Sequence, residues 1–320
     1  MAFNPCSLIA SLPPFDPALG SNFDGYHDFC RFYPLTFDTL AASQHLGQIP
    51  IEGQQIAVHL FRAPEPRGTL VIVHGYLDHH GLYSHLIRYG LERGLNVLCF
   101  DLPGHGLSSG IRASIDSFER YQTVFQVLLG MLDKWPLCRP LHLLGQSTGG
   151  AIINQFLLTK PTQSPGIDGQ IALLAPLIRP ARWPWIRLAH AVLSPWKTAV
   201  PRDFAPNSQD PEFNAFLRSD PLQSLFITTA WIGAMKRWIA EFERLPSTNA
   251  YQPLLIQGQQ DDTVDWRYNL PLLQQKFPRL QRLLLPDARH QLANEAAGIR
   301  REYLDWLDLK GVDLKGVGVN

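Results

Sequence analysis

Cysteine is scarce, with four in 320 residues. They are scattered and Cys99 lies inside an apolar run, so neither a disulfide framework nor the paired spacing of a zinc site is present. They read as free thiols, and a bridge from Cys6 to Cys30 has no support in the pattern. An excess of charge is missing too. Lys plus Arg and Asp plus Glu each number 28, and neither sign forms a run of five, so the electrostatic footprint of a nucleic-acid binder is absent. No stretch of about 18 apolar residues exists to cross a bilayer. The opening MAFNPCSLIASLPPF lacks a basic n-region and breaks its short apolar stretch with prolines, which argues against a secretory signal and makes a cytoplasmic location the expectation.

What the chain has in quantity is apolar mass, 45% of its residues, enough to bury one large core or a core with an insertion. Short apolar runs recur at 56–61, 69–74, 96–100, 141–144, 171–175, 253–257 and 282–285. Runs of this length bounded by Gly, Pro or Asp suit strands buried on both faces. Phe118, Tyr121, Phe125, Leu128, Leu132 and Trp135 follow a helical period, and Asp116 with Glu119 resembles a capping box at its start. Ile299, Tyr303 and Leu307 predict another helix after Asn294. Strands alternating with helices imply an α/β fold with a mostly parallel central sheet flanked by helices, its ligand chemistry at the carboxyl ends of the strands.

The rhythm divides the chain into an irregular N-terminal segment (1–50), a first part of the core (51–176), a strand-free helical insertion over the sheet's carboxyl edge (177–249), a second part of the core (250–308) and a disordered tail (309–320). The insertion carries Trp183, Trp185, Trp196, Trp231 and Trp238, with a helical pattern over 222–244. The tail repeats DLKGV, from Asp308 and again from Asp313.

Gly145-Gln146-Ser147-Thr148-Gly149 fits G-x-S-x-G, a strained strand-to-helix turn that holds a serine above a sheet. Glycines are needed where strand and helix backbones approach too closely for a Cβ, and the helix N-terminus favours an oxyanion beside the serine. A serine hydroxyl is a weak nucleophile, so an acid and a histidine must follow downstream. The strand predicted at 253–257 runs into Gly258-Gln259-Gln260-Asp261-Asp262-Thr263-Val264, and the strand at 282–285 leads to His290. Asp261 is preferred over Asp262 and Asp265 because Val264 can anchor the loop of a G-x-x-D-x-x-V pattern. The backbone amides of Tyr76, after the strand at 69–74, and Thr148 are placed as the two oxyanion donors. His74, His79 and His80 match no H-E-x-x-H helix, and the glycine-rich loop 101–108 has neither a P-loop lysine nor G-x-G-x-x-G, so no metal and no cofactor are expected.

These residues resemble the α/β-hydrolases, and within them the monoacylglycerol lipase and lysophospholipase-like group, also described as serine aminopeptidase-type hydrolases. The resemblance spans residues 51–307. His74-Gly75-Tyr76-Leu77-Asp78-His79-His80-Gly81-Leu82-Tyr83 is similar to that group's HGxxxHxxxY segment. Residues 101–108 are similar to its D-x-x-G-H-G-x-S loop, and Ser219-Asp220-Pro221-Leu222 to an SDPL motif in its cap. The resemblance implies Ser147, Asp261 and His290 as triad, Tyr76 and Thr148 as oxyanion donors, and a helical cap. Gln146 and Thr148 depart from the histidine and methionine common beside the nucleophile, which bears on substrate more than on chemistry.

The expected activity is carboxylic ester hydrolysis through an acyl-enzyme, with the aromatic insertion suggesting a monoacylglycerol or lysophospholipid. The bland alternative is that the tryptophans only pack the insertion. A proline-type aminopeptidase would need an acidic or polar subsite, for which Glu241 or Glu243 could serve though nothing singles them out, and a hydrolase-like receptor would bind a small molecule without turnover. The insertion also leaves room for peripheral membrane contact. The acyl length, the alcohol and the oligomeric state are not written in the sequence.

Overall fold

The computed structural model describes residues 3–160 and 166–311. The first six strands are β1 (Ser43–Ile51), β2 (Gln54–Arg62), β3 (Gly68–Val73), β4 (Leu95–Phe100), β5 (Leu141–Gln146) and β6 (Ile171–Leu174). A short pair, β7 (Ala199–Pro201) and β8 (Phe226–Thr228), stands apart, and β9 (Leu254–Gly258) and β10 (Gln281–Leu285) complete the set. Eight of them form one sheet in the order β1-β2-β4-β3-β5-β6-β9-β10. The β1–β2 and β2–β4 pairs are antiparallel, and every later pair is parallel. Strands β3, β4 and β5 are buried along their whole length. Their unbroken apolar runs are what a strand covered on both faces requires.

The helices are α1 (Pro5–Ser11), α2 (Tyr26–Phe32), α3 (Ser84–Glu92), α4 (Phe118–Leu132), α5 (Thr148–Thr159), α6 (Trp183–Leu193), α7 (Pro211–Ser219), α8 (Thr229–Phe242), α9 (Trp266–Lys276) and α10 (Ala297–Gly311). Two large apolar clusters result. One joins α4, α5 and α8, with Phe125 edge-on to Phe156 at 5.4 Å. The other joins α2, α3 and α10, including Phe29, Leu86 and Tyr303. Among the described residues no helix is long and apolar enough to cross a membrane, and all four cysteines are free thiols.

Several expectations need correction. The first fifty residues are not irregular: they hold α1, α2 and most of β1, which pairs with β2 from Ser43↔Arg62 to Ile51↔Gln54. Gly47 and Pro50 hid that edge strand. The glycine is required because residues 13–15 cross it so closely that a Cβ would sit 2.6 Å from Phe15 Cα. The insertion is not free of strands either, since β7 pairs with β8 in antiparallel register. Its long helix starts later than its period suggests, at Thr229, where Thr228 caps by accepting from the Trp231 amide at 3.3 Å. Ser117, not Asp116, caps α4. Asp116 instead pairs with Arg120 one turn along, at 2.6 Å. The first copy of the tail repeat is helical through Gly311, because Asp308 accepts from Tyr89 Oη at 2.8 Å and Arg93 Nε at 2.7 Å. The second copy lies outside the described residues.

Candidate active site

Ser147 sits between the last residue of β5 and the first of α5, with φ 52° and ψ −113°. A non-glycine residue held at positive φ is strained and persists only where its surroundings over-determine it. Here three glycines do so. A Cβ at Gly145 would stand 2.7 Å from the backbone of Gly149, one at Gly149 would collide with Val73 O, and one at Gly150 would lie 2.8 Å from Pro176 Cβ. The turn can therefore close only as sharply as it does, and the serine is lifted to the sheet's carboxyl rim.

The loops after β9 and β10 meet at the same rim. His290 Nδ1 donates to Asp261 Oδ2 at 2.8 Å. Asp261 is buried and its remaining capacity is filled by the Thr263 amide (2.8 Å), the Val264 amide (3.1 Å) and Gln257 Nε2 (2.9 Å). Burial by itself would raise the carboxyl pKa, but the charge and hydrogen bond of His290, with the other donors, hold it below the ordinary value. Burial works to lower the His290 pKa, and the Asp261 carboxylate, helped by Asp78, reverses that and raises it. The rival acids are elsewhere engaged: Asp262 is exposed, and Asp265 caps α9 by accepting from the Tyr268 amide at 3.3 Å.

Ser147 and His290 are neighbours through their flanks. Gln146 Nε2 donates to the carbonyl of His290 at 2.9 Å. Among the described residues neither Ser147 Oγ nor His290 Nε2 makes a hydrogen bond. The two groups share the rim with the hydroxyl and the imidazole Nε2 unpaired, an arrangement common before substrate tightens such contacts.

The loop after β3 supplies the other side. A Cβ on Gly75 would lie 3.2 Å from Ser147 Cβ, so glycine is what lets this loop touch the serine. Tyr83 Oη donates to Asp78 at 2.9 Å and accepts from the Gly75 amide at 3.1 Å, and Gln291 Nε2 donates to Asp78 at 2.8 Å. Asp78 thereby ties the Tyr76 loop to the residue after His290. The amides of Tyr76 and Thr148 are unengaged among the described residues, as two donors waiting for an oxyanion would be.

Asp78 and Gln291 were not singled out for the site from sequence, and Gln146 was noted only as a departure beside the nucleophile. Asp78 sits inside a motif noted for its histidines, while the two glutamines carry no local signal. The three histidines are each committed. His74 accepts from the Leu102 amide at 2.8 Å and donates to Gly75 O at 2.7 Å, and burial pulls its pKa down to about 3. His80 donates to Asp101 at 2.9 Å, and His79 donates to Asp220 at 2.9 Å. No group of three or more His, Cys, Asp or Glu side chains among the described residues is arranged to hold a metal.

The tryptophans of the insertion divide. Trp231 stacks on the Tyr76 ring at 3.6 Å and 13°, Trp238 stacks on Phe118 at 5.0 Å, and both are buried. Trp185 and Trp196 are 71% and 86% exposed.

A serine on a strained strand-to-helix turn, with a His–Asp pair delivered by two later strand ends of a mostly parallel sheet, defines an α/β-hydrolase. The chain matches the family described as serine aminopeptidase, S33, over residues 64–297 and belongs to it. It is 29% identical over 172 residues to a monoacylglycerol lipase of Mycolicibacterium smegmatis, covering 49% of this chain and 57% of that one. It is 32% identical over 111 residues to the phospholipase YtpA of Bacillus subtilis, covering 35% of this chain and 41% of that one. The matched stretch is thus under two thirds of either relative. In fold it is similar to a soluble variant of monoglyceride lipase from Saccharomyces cerevisiae, solved with a substrate analog, at a TM-score of 0.70 and 19% identity over 88% of this chain and 98% of that one.

Proposed function

We propose that the protein is a serine ester hydrolase acting on lipid-like monoesters, a monoacylglycerol or a lysophospholipid, through an acyl-enzyme, with residues 177–249 as its cap. The observation that carries this reading is the 2.8 Å His290–Asp261 pair on the same rim as the strained Ser147. Asp261 fixes the imidazole tautomer with Nδ1 protonated, leaving Nε2 as the base. His290 takes the Ser147 proton as Oγ attacks the ester carbonyl. The amides of Tyr76 and Thr148 receive the oxyanion, each worth roughly 3 kcal/mol. The protonated His290 then gives its proton to the leaving alcohol, and water completes the cycle by the same steps reversed.

The relatives named as lipases favour lipid esters over peptides. So does Glu243, which is taken up by Arg179 at 2.7 Å and Tyr268 Oη at 3.0 Å and is therefore not free to hold a substrate's amino group. A second part of the reading concerns the lipid surface. Trp185, Leu188, Val192, Leu193 and Trp196 project from α6 and the turn after it, all exposed, at the spacing of one helical face. Such a face suits interfacial contact with lipid rather than burial in protein. A cytoplasmic location agrees with the four free thiols.

The test is fluorophosphonate labelling followed by an acyl-matched panel of esters, thioesters, monoacylglycerols, lysophospholipids and proline anilides. Labelling at Ser147 with ester turnover is expected. No labelling and no turnover would favour a non-catalytic binding protein, and a preference for proline anilides would favour a peptidase.

A further inference from the structure

The two sides of Ser147 differ in chemistry. Trp231 stacks on the Tyr76 ring, with Phe118, Tyr121 and Trp238 packed behind it, an apolar group on the side of the Tyr76 loop. The leaving alcohol must depart on the other side, because its oxygen takes the proton from His290, and there Gln291 holds Asp78 at 2.8 Å. A cation of residues 177–249 reaches the same loop through Gln223 and Asp220. Arg202 follows β7, and its amide donates to Leu225 O at 2.9 Å, so its backbone is fixed by the strand pair. Its guanidinium lies over the Phe204 ring, 4.5 Å from the centroid, and donates one N–H to Gln223 Oε1. Gln223 in turn donates to Asp220 at 3.2 Å, which ties the arginine to the same anchor that holds His79.

This guanidinium is half-buried, yet among the described residues it forms no ion pair within 4.0 Å. Burial holds its pKa below the ordinary arginine value, against the opposing charges of Asp78 and Asp220. A cation withdrawn from water without a counter-charge in contact is costly unless something else supplies the charge. Arginine's planar fork is suited to a phosphate, which it meets through two parallel N–H donors. Asp78 Oδ2 is occupied by Tyr83 and Gln291, so its other oxygen can accept from the hydroxyl or ammonium of the same head group.

We propose that Arg202 is the specificity-determining residue of the leaving-group side and that it selects a phosphate-bearing alcohol, making a lysophospholipid the preferred substrate. This rests on the ester-hydrolase reading. In the step concerned, the Ser147 Oγ–acyl bond forms, the bond from acyl carbon to glyceryl oxygen breaks, and the proton on His290 passes to that oxygen. The glycerophosphate head group then leaves with its phosphate unchanged.

The experiment compares wild type with Arg202→Gln on three palmitoyl substrates in mixed micelles: 1-palmitoyl lysophosphatidylcholine, 1-palmitoylglycerol and p-nitrophenyl palmitate. The variant is expected to lose about 30-fold in kcat/KM on the lysophospholipid and to stay within about 3-fold on the other two. An equal loss on all three would make Arg202 structural and overturn the proposal, as would an unchanged lysophospholipid rate or a wild type that hydrolyses only the uncharged esters. Inorganic phosphate at fixed ionic strength separates the sources of the anion. Inhibition that Arg202→Gln abolishes, with no effect on lysophospholipid turnover, would assign the cation to free phosphate. Ser147 labelling is scored in parallel, so that loss of the parent reading, with no labelling, is distinguishable from loss of this one.

Discussion

The insertion meets the rest of the molecule in two unlike ways. Near Asp220 the contact is polar, buried and dense. That carboxylate accepts from Tyr33 Oη (2.5 Å), His79 Nε2 (2.9 Å), the Leu222 amide (3.0 Å) and Gln223 Nε2 (3.2 Å), drawing the start of the chain, the loop after β3 and the insertion onto one residue. Along α6 the surface is apolar and faces solvent, with Trp196 86% exposed. A carboxylate with four donors permits one geometry and resists being moved, since any donor left behind is a buried group without a partner. An exposed apolar helix face specifies nothing within the molecule and gains only when another apolar surface covers it. One segment of sequence, rich in aromatics, thus supplies both a fixed contact with the loop after β3 and an exposed outer face.

Breaking the fixed region should have the largest effects. Ser147→Ala is expected to lower kcat on a p-nitrophenyl ester by about 10⁴-fold or more with Tm nearly unchanged. Asp261→Asn should cost about 10³- to 10⁴-fold while Ser147 remains in place, because the wrong imidazole tautomer is then favoured. Asp220→Ala should act on stability instead. Removing one partner of a buried pair costs about 3 kcal/mol or more, a fall of roughly 5 °C in Tm for a chain of this size. Burial alone would raise the Asp220 pKa, but His79, Tyr33 and the Leu222 amide hold it below its unfolded value. Its contribution is therefore present above the unfolded pKa and lost as pH falls through the folded one. Wild type should lose its margin over the variant as pH falls below about 4; an unchanged margin in acid would show that folding does not lower the Asp220 pKa, and a margin that grows in acid would show that Asp220 is not ionised in the folded protein.

The same contrast explains what the sequence revealed. The core strands were legible because β3, β4 and β5 are buried on both faces and so are written as unbroken apolar runs. The positions of Ser147, Asp261 and His290 were legible because each follows a strand end, and the pairing of the last two is the 2.8 Å contact. β1 was not, because Gly47 and Pro50 interrupt its pattern and the reason for the glycine is the crossing of residues 13–15, a contact with no local signature. Gln146 and Gln291 were not, because what matters in them is a hydrogen bond to residues 144 and 213 positions away, His290 and Asp78. The tryptophans could not be sorted at all from composition, because Trp231 and Trp185 differ only in what lies opposite.

Replacing the outer tryptophans should sharpen the contrast without touching the chemistry. The double variant Trp185→Ser, Trp196→Ser is expected to bind phosphatidylglycerol vesicles about 10-fold more weakly in a flotation assay, with hydrolysis of a water-soluble short-chain ester unchanged. An equal loss on the soluble ester would mean that α6 supports the site after all.

The smallest effect expected is a displacement of the pH profile, and it probes whether the fixed region tunes its own base. The imidazole must be neutral at Nε2 to accept the serine proton, so activity falls as pH drops through its pKa. Burial pushes that pKa down, but Asp261, with help from Asp78, raises it above 6.5. The acid limb of kcat/KM should then lie above pH 6.5, leaving activity below half of its maximum at that pH. Asp78→Asn removes the smaller of the two charges while keeping an acceptor for Tyr83 and Gln291, and should move the limb slightly towards acid. A limb that stays in place would mean that Asp78 holds the loops together by its hydrogen bonds and contributes nothing through its charge.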